Sequence, residues 1–117
     1  MSVDVKSYKK IMSTEIINFI EDGNHMVGAQ NDPETDYVLW QKLEDESEIY
    51  FEYCGQQNSG YDIVQEITID RDGIHIVVKT GELVHFYFNQ CKKEDWEKMV
   101  SGLKEVYSDR PKVLEIL

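Results

Sequence analysis

The stretch EITIDRDGIHIVVKTGELVHFYF, Glu66 to Phe88, leaves the chain fewest options. β-Branched and aromatic segments are separated by Asp72-Gly73 and Thr80-Gly81, so it reads as three strands joined by tight turns. A two-residue Asp72-Gly73 loop pairs Ile69 with Ile76 and Ile67 with Val78. That register puts Ile67, Ile69, Ile74, Ile76 and Val78 on one face. A two-residue Thr80-Gly81 loop then adds Leu83 to this face and sets Lys79 opposite Glu82 on the other. In the same register His75 and His85 lie on opposite faces, and a loop one residue longer would bring them together.

The flanking sequence extends the pattern. TEIINFIEDGNHMVGAQ reads as a hairpin turning at Asp22-Gly23. NDPETD is a loop, because Pro33 has no ladder donor. YVLWQKL and EIYFEYC read as strands, with the acidic segment Glu44 to Glu48 between them. KKEDWEKMVSGLKEVY places Trp96, Met99, Val100, Leu103, Val106 and Tyr107 at i, i+3, i+4 and i+7 spacing, an amphipathic helix that Pro111 stops. Helical phase puts Trp96 in the core, and strand context puts Trp40 there too. The closing KVLEIL is apolar enough to pack or to add a short edge strand. The expected fold class is α+β: an antiparallel β-sheet of consecutive hairpins with one C-terminal amphipathic helix packed on one face. Residues 1–117 are expected to form a single domain, with 1–13 a loose N-terminal segment.

Composition narrows the function. The chain has 117 residues, is 41% apolar and carries a formal net charge of -11, which describes a globular domain and not a disordered tail. Nucleic-acid binding and docking on an anionic membrane both need basic surface, so neither is expected. The N-terminus lacks an apolar run followed by a small-residue cleavage site, so no secretory leader is expected, and no run reaches membrane-spanning length. Cys54 and Cys91 have no CxxC spacing; reduced thiols in a cytosol are expected, with no disulfide and no metal.

Motifs for catalysis are missing. Gly55 and Gly60 have phosphate-loop spacing, but Tyr61 and Asp62 stand where such a loop needs Lys and then Ser or Thr, and a strand follows where a helix is required. No nucleophile elbow or Ser-x-x-Lys pattern occurs, and nothing singles out an acid and a base among the many carboxylates. The segment Glu44 to Glu48 lacks the spacing of a calcium loop.

One resemblance bears on function. The Tyr37-Val38-Leu39-x-Gln41 strand and the acidic gap after it are its first carriers. Glu52, Gln57, Ser59, Gly60, Tyr61 and Ile63 around the polar loop come next. The hairpin Ile67-x-Ile69-x-Arg71-Asp72 and the aromatic-bearing C-terminal helix complete the pattern. Over Tyr37 to Tyr107 the chain resembles the immunity protein ten family of bacterial polymorphic-toxin systems. It departs from that family at Asp62, where small residues are usual, and in a shorter segment between Ile76 and Glu82. The resemblance implies a cytoplasmic immunity protein that binds and neutralises a cognate toxin domain, a basic nuclease being one such partner, with no enzymatic activity and no cofactor. Glu44, Asp45, Glu46 and Glu48, together with Gln56, Gln57, Asn58 and Tyr61, are the candidate partner interface. The polar loop has a second reading, in which Gln57 and Ser59 only satisfy backbone groups within it. The alternative function is a small-molecule or peptide-binding module using a pocket between sheet and helix.

Overall fold

A computed structural model describes residues 8–13, 15–32, 34–88 and 93–117, the side chains of 8–13 and 88 excepted. Pro33 and Cys91, both considered above, lie outside the described residues.

The fold is α+β, with the strands divided between two five-stranded sheets. The hairpin sheet is antiparallel throughout and orders β2 (Glu15–Glu21), β3 (Asn24–Asp32), β4 (Asp36–Leu43), β5 (Ile49–Tyr53) and β6 (Ser59–Tyr61) in sequence. Its first turn is as expected: Asp22 and Gly23 both take positive φ, 52° and 79°, as a type I′ hairpin requires. The acidic segment connects β4 to β5, also as expected. Register places Ile16, Val27, Ala29, Val38, Trp40, Ile49, Phe51 and Tyr53 on the inner face, where all are buried.

The mixed sheet runs β1 (Tyr8–Ser13), β9 (Leu83–Phe88), β8 (Gly73–Val78), β7 (Val64–Ile69) and β10 (Leu114–Ile116). Its central three strands are the expected meander. Its edges are parallel pairs, β1 beside β9 and β10 beside β7. Residues 8–13, expected to be loose, thus form an edge strand, and the closing KVLEIL forms the other.

Both expected turn registers need correction, with unequal consequences. At the β7–β8 turn Arg71 and Asp72 occupy the tip, and Asp70 N–H donates to the Gly73 carbonyl at 3.0 Å. The Asp70 carboxylate also accepts the amides of Asp72 (2.8 Å) and Gly73 (2.9 Å), which fixes the turn there. Ile69 therefore faces Ile74 and Ile67 faces Ile76. The slip is two residues, so Ile67, Ile69, Ile74, Ile76 and Val78 still share the buried face. The β8–β9 loop has three residues, 79–81: Val78 N–H bonds the Glu82 carbonyl at 2.9 Å, and Gly81 takes φ 96°. That one-residue slip turns β9 over. Val84 and Phe86 are buried in place of Leu83, and Lys79 loses its expected partner. Glu82 instead accepts the Tyr53 hydroxyl.

Helix α1 (Lys93–Val106) carries Glu94 and Asp95 in its first turn and Lys104 in its last, each placed to suit the helix dipole. It lies along β2 and β3, tied by the Asn18 amide donating to the Lys98 carbonyl at 3.1 Å and by Lys98 Nζ donating to the Ile16 carbonyl at 3.3 Å. Met99, Val100, Leu103, Val106 and Tyr107 enter the same core as the inner faces of both sheets. Trp96 does not go in with them. It is half-buried against the β7–β8 turn, its indole N–H donating to the Asp70 carbonyl at 2.9 Å, with the Arg71 guanidinium 5.3 Å from its ring centre. Beyond the helix Arg110 pairs with Asp62 and donates to the Ser47 carbonyl at 2.8 Å, while Asp62 also accepts the Ile49 amide at 3.0 Å. Burial pushes the Asp62 carboxyl upward, but Arg110 and the Ile49 amide outweigh it and hold the carboxyl below its ordinary range. Asp62 is thus a structural tie.

Two outcomes test this packing. A Cβ at Gly102 would lie 2.8 Å from Val27 Cγ2. Gly102→Ala, which favours an exposed helix by about 1 kcal/mol, is expected here to destabilise by about 1–3 kcal/mol through overpacking; a raised melting temperature would contradict the contact. In urea melts Trp40→Ala is expected to cost about 3–5 kcal/mol and Trp96→Ala clearly less; equal losses would show that the two indoles are equally buried.

Candidate functional site

A sheet with one face in the core and one in water normally alternates apolar and polar residues. The outer face of the hairpin sheet breaks that rule. One row across it reads Phe19, Met26, Gln41, Tyr50 and Tyr61, and the next reads Ile17, Gly28, Leu39, Glu52 and Ser59. Tyr37 stands in the row beyond, level with Gln30 and Glu15, and is the diagonal neighbour of Glu52 across β4 and β5. Phe19 is 44% exposed and Tyr61 54%, and Ile17, Met26, Leu39, Tyr37 and Tyr50 are half-buried.

Glu52 organises this face. The Tyr37 hydroxyl donates to its Oε2, and the Tyr50 hydroxyl donates to Oε1 at 2.5 Å. Gly55 N–H donates to the Tyr37 hydroxyl oxygen at 3.0 Å, so the phenolic proton is directed at the carboxylate. Burial, then the bond to Glu52, push the Tyr37 hydroxyl up to about 12, and the same causes raise Tyr50. Both phenols are therefore neutral donors at physiological pH. Tyr61 meets Tyr50 edge to face, ring centres 5.4 Å apart.

The expected interface residues separate into two groups. Glu44, Asp45, Glu46 and Glu48 are exposed between β4 and β5, at one end of β5. Gln56, Gln57 and Asn58 lie at its other end. Register returns Tyr61 to Tyr50, beside the acidic end. The polar loop is largely occupied with itself: Tyr53 N–H donates to the Asn58 carbonyl (3.1 Å), Asn58 N–H to the Gly55 carbonyl (3.0 Å) and the Ser59 hydroxyl to the Gln56 carbonyl (2.5 Å). Gln57 folds over Gly55, where a Cβ would come within 2.5 Å of its amide oxygen. Gln56 and Gln57 remain exposed. Tyr37, Tyr50, Phe19 and Met26 are not among the interface candidates that the sequence singles out. Their signal was aromatic and apolar side chains at the outward positions of strands whose inward positions already fill a core.

A second polar cluster lies on the outer face of the mixed sheet. His75 and His85, expected on opposite faces, are direct cross-strand partners because of the three-residue loop. Their Nδ1 atoms are 2.6 Å apart, and His75 Nε2 lies 3.0 Å from Asp70 Oδ2. Tyr87 stacks on His85 with ring centres 6.4 Å apart. A 2.6 Å contact between ring nitrogens holds one proton, so the pair cannot be doubly charged as it stands. His25 is elsewhere, on the hairpin sheet, with Nε2 bonded to Asn18 at 2.7 Å. Among the described residues no group of three or more His, Cys, Asp or Glu is arranged to hold a metal ion. An open groove of about 430 Å³ lies between the β2–β3 turn and the end of α1, lined by Ile20, His25, Lys42, Leu43, Glu105 and Val106 among others.

No protein-family model matches the chain, and no curated protein matches it in sequence. Among the described residues no helix is long and apolar enough to cross a membrane.

The histidine pair has a pH signature. Burial, then the charge of His75, hold His85 below its ordinary value of 6.5. Folding thus favours neutral His85. The stability it contributes is complete above the unfolded value and is lost as pH falls through the depressed folded one. Asp70 and Asp62, both lowered, act only in more acidic solution. Urea melts are expected to show stability falling between pH 7 and 5, and His85→Gln is expected to flatten that slope. An unchanged slope in the variant would remove the pair as its cause.

Proposed function

We propose that this chain is a cytoplasmic immunity protein that binds a cognate toxin domain stoichiometrically and neutralises it. The observation that carries this reading is the open outer face of the hairpin sheet. Tyr, Phe and Met are enriched at the centres of protein interfaces, and here they line a rigid sheet. Glu44, Asp45, Glu46 and Glu48 rim one end of the face, and Gln56, Gln57 and Asn58 rim the other. The net charge of -11 suits a basic partner such as a nuclease domain, whose approach an acidic rim would accelerate. The resemblance over Tyr37 to Tyr107 points the same way. Neutralisation by occlusion requires no reaction at the interface, only a contact that outlasts the toxin's access to its substrate.

A small-molecule or peptide-binding module is the second reading, and the groove beside α1 is its support. That groove is open and edged by Lys42, Glu44 and Glu105, whereas the space between the sheets is filled by Trp40, Phe51, Phe86 and Met99. The outer face, by contrast, presents Phe19, Met26, Leu39, Tyr50 and Tyr61 across five strands.

Co-expression with a toxin domain from a neighbouring gene is expected to protect cells, and the purified pair is expected to associate more slowly as salt rises, with dissociation changing less. Replacing Asp45, Glu46 and Glu48 by Asn, Gln and Gln together is expected to slow association several-fold. Tyr61→Ala is expected mainly to speed dissociation. Absence of both binding and protection would overturn the immunity reading.

A further inference from the structure

Glu52 raises a question that the fold does not answer. It is half-buried on β5, between Leu39 and Ser59 and beside Tyr37 and Tyr50, and among the described residues no ion pair includes it. Two phenols hold its carboxylate in place, but phenols are neutral and leave its charge uncompensated. Accepting Tyr37 on one oxygen and Tyr50 on the other accounts for both carboxylate oxygens but not for half-burying a full charge with no cation beside it.

We infer that Glu52, with Tyr37, Tyr50 and Tyr61, forms a receptor for an arginine side chain presented by the bound protein partner. The inference rests on the immunity reading for the identity of that partner, and on the geometry of this face for the chemistry. A carboxylate offers about four acceptor positions. The hydroxyls of Tyr37 and Tyr50 occupy one on each oxygen, leaving one on each for the two parallel N–H groups of a guanidinium. Because Gly55 N–H orients the Tyr37 hydroxyl, the carboxylate is set before the partner arrives, and little ordering remains to be done on binding. Tyr50 and Tyr61 meet edge to face, which leaves ring surface beside the carboxylate for a planar cation to stack on. A lysine ammonium is compact, strongly hydrated and unable to bond in fork geometry, so it fits less well. Leu39, directly opposite Glu52 on β4, and the rings of Tyr37 and Tyr50 are the apolar neighbours that limit water at such a contact, the arrangement in which a paired charge contributes most.

The test is a two-dimensional NMR titration of the full chain with the tripeptides acetyl-Gly-Arg-Gly-amide, its Lys counterpart and its Gln counterpart. The arginine peptide is expected to shift the Glu52 side-chain carboxyl and the amides of Tyr50, Glu52 and Gly55, the lysine peptide to do so at several-fold higher concentration, and the glutamine peptide not at all. Glu52→Gln is expected to abolish these shifts, whereas neutralising Asp45, Glu46 and Glu48 is expected to keep them. Shifts confined to the acidic loop, or equal responses to arginine and lysine, would overturn the proposal using wild-type protein alone, whatever the stability of the variant. With the toxin domain as ligand, Glu52→Gln is expected to weaken binding about tenfold or more. Unchanged toxin binding in that variant would sink the arginine receptor and leave the immunity reading standing. Arginine binding at Glu52 with no toxin binding would do the reverse.

Discussion

Covering the inner face of the hairpin sheet is the constraint from which the remaining architecture follows. Trp40 is fully buried, tilted against Phe51 at 5.1 Å, and too large to be shielded by its own sheet. Helix α1 lies along β2 and β3, and the central meander of the mixed sheet contributes Ile67, Ile69, Ile74, Ile76, Val78, Val84 and Phe86 to the same cluster. With two layers spent on one face, none is left for the other. The exposed aromatic surface is thus a by-product of how the core is closed, and it is available to a partner without rearrangement of the fold.

Much of this could be read from residues in order, and the failures are instructive. Asp22-Gly23 and the helical spacing from Met99 to Val106 are local signals, and both held. The β7–β8 turn was misplaced, yet its buried face survived because the slip was even. The β8–β9 turn was misplaced by one, and period-2 pairing then exchanged Leu83 for Val84 and brought His75 to His85. Sequence pattern did not arbitrate, since β9 offers apolar side chains on both faces. Strand β1 was illegible for another reason: its partner is β9, far along the chain, and nothing local marks a parallel edge. Helical phase points Trp96 to the core, but its N–H finds the Asp70 carbonyl at the rim.

The candidate site shows the same division between local and distant signals. The polar loop is locally odd in sequence, with two glycines and a run of amides. Much of its bonding turns out to be internal. The face beside it is assembled from outward positions on successive strands, each ordinary alone. Glu52 illustrates the difference: in sequence it is one carboxylate among many, and only cross-strand register places it near Tyr37 and opposite Leu39. Asp62, one more carboxylate in the sequence, anchors Arg110 and the Ile49 amide.

The parallel edges of the mixed sheet carry a consequence in time. Its meander, β7 to β9, can pair as soon as those strands exist, because their turns are short. Neither flanking strand has that option. Strand β1 must wait for β9, and β10 joins β7 only after α1 has been made. Contacts between segments so far apart close large loops and form slowly. During synthesis the hairpin sheet can therefore stand complete while the mixed sheet still has both flanks bare. The flank beside β9 is an open ladder of hydrogen-bonding groups until a strand made long before it returns.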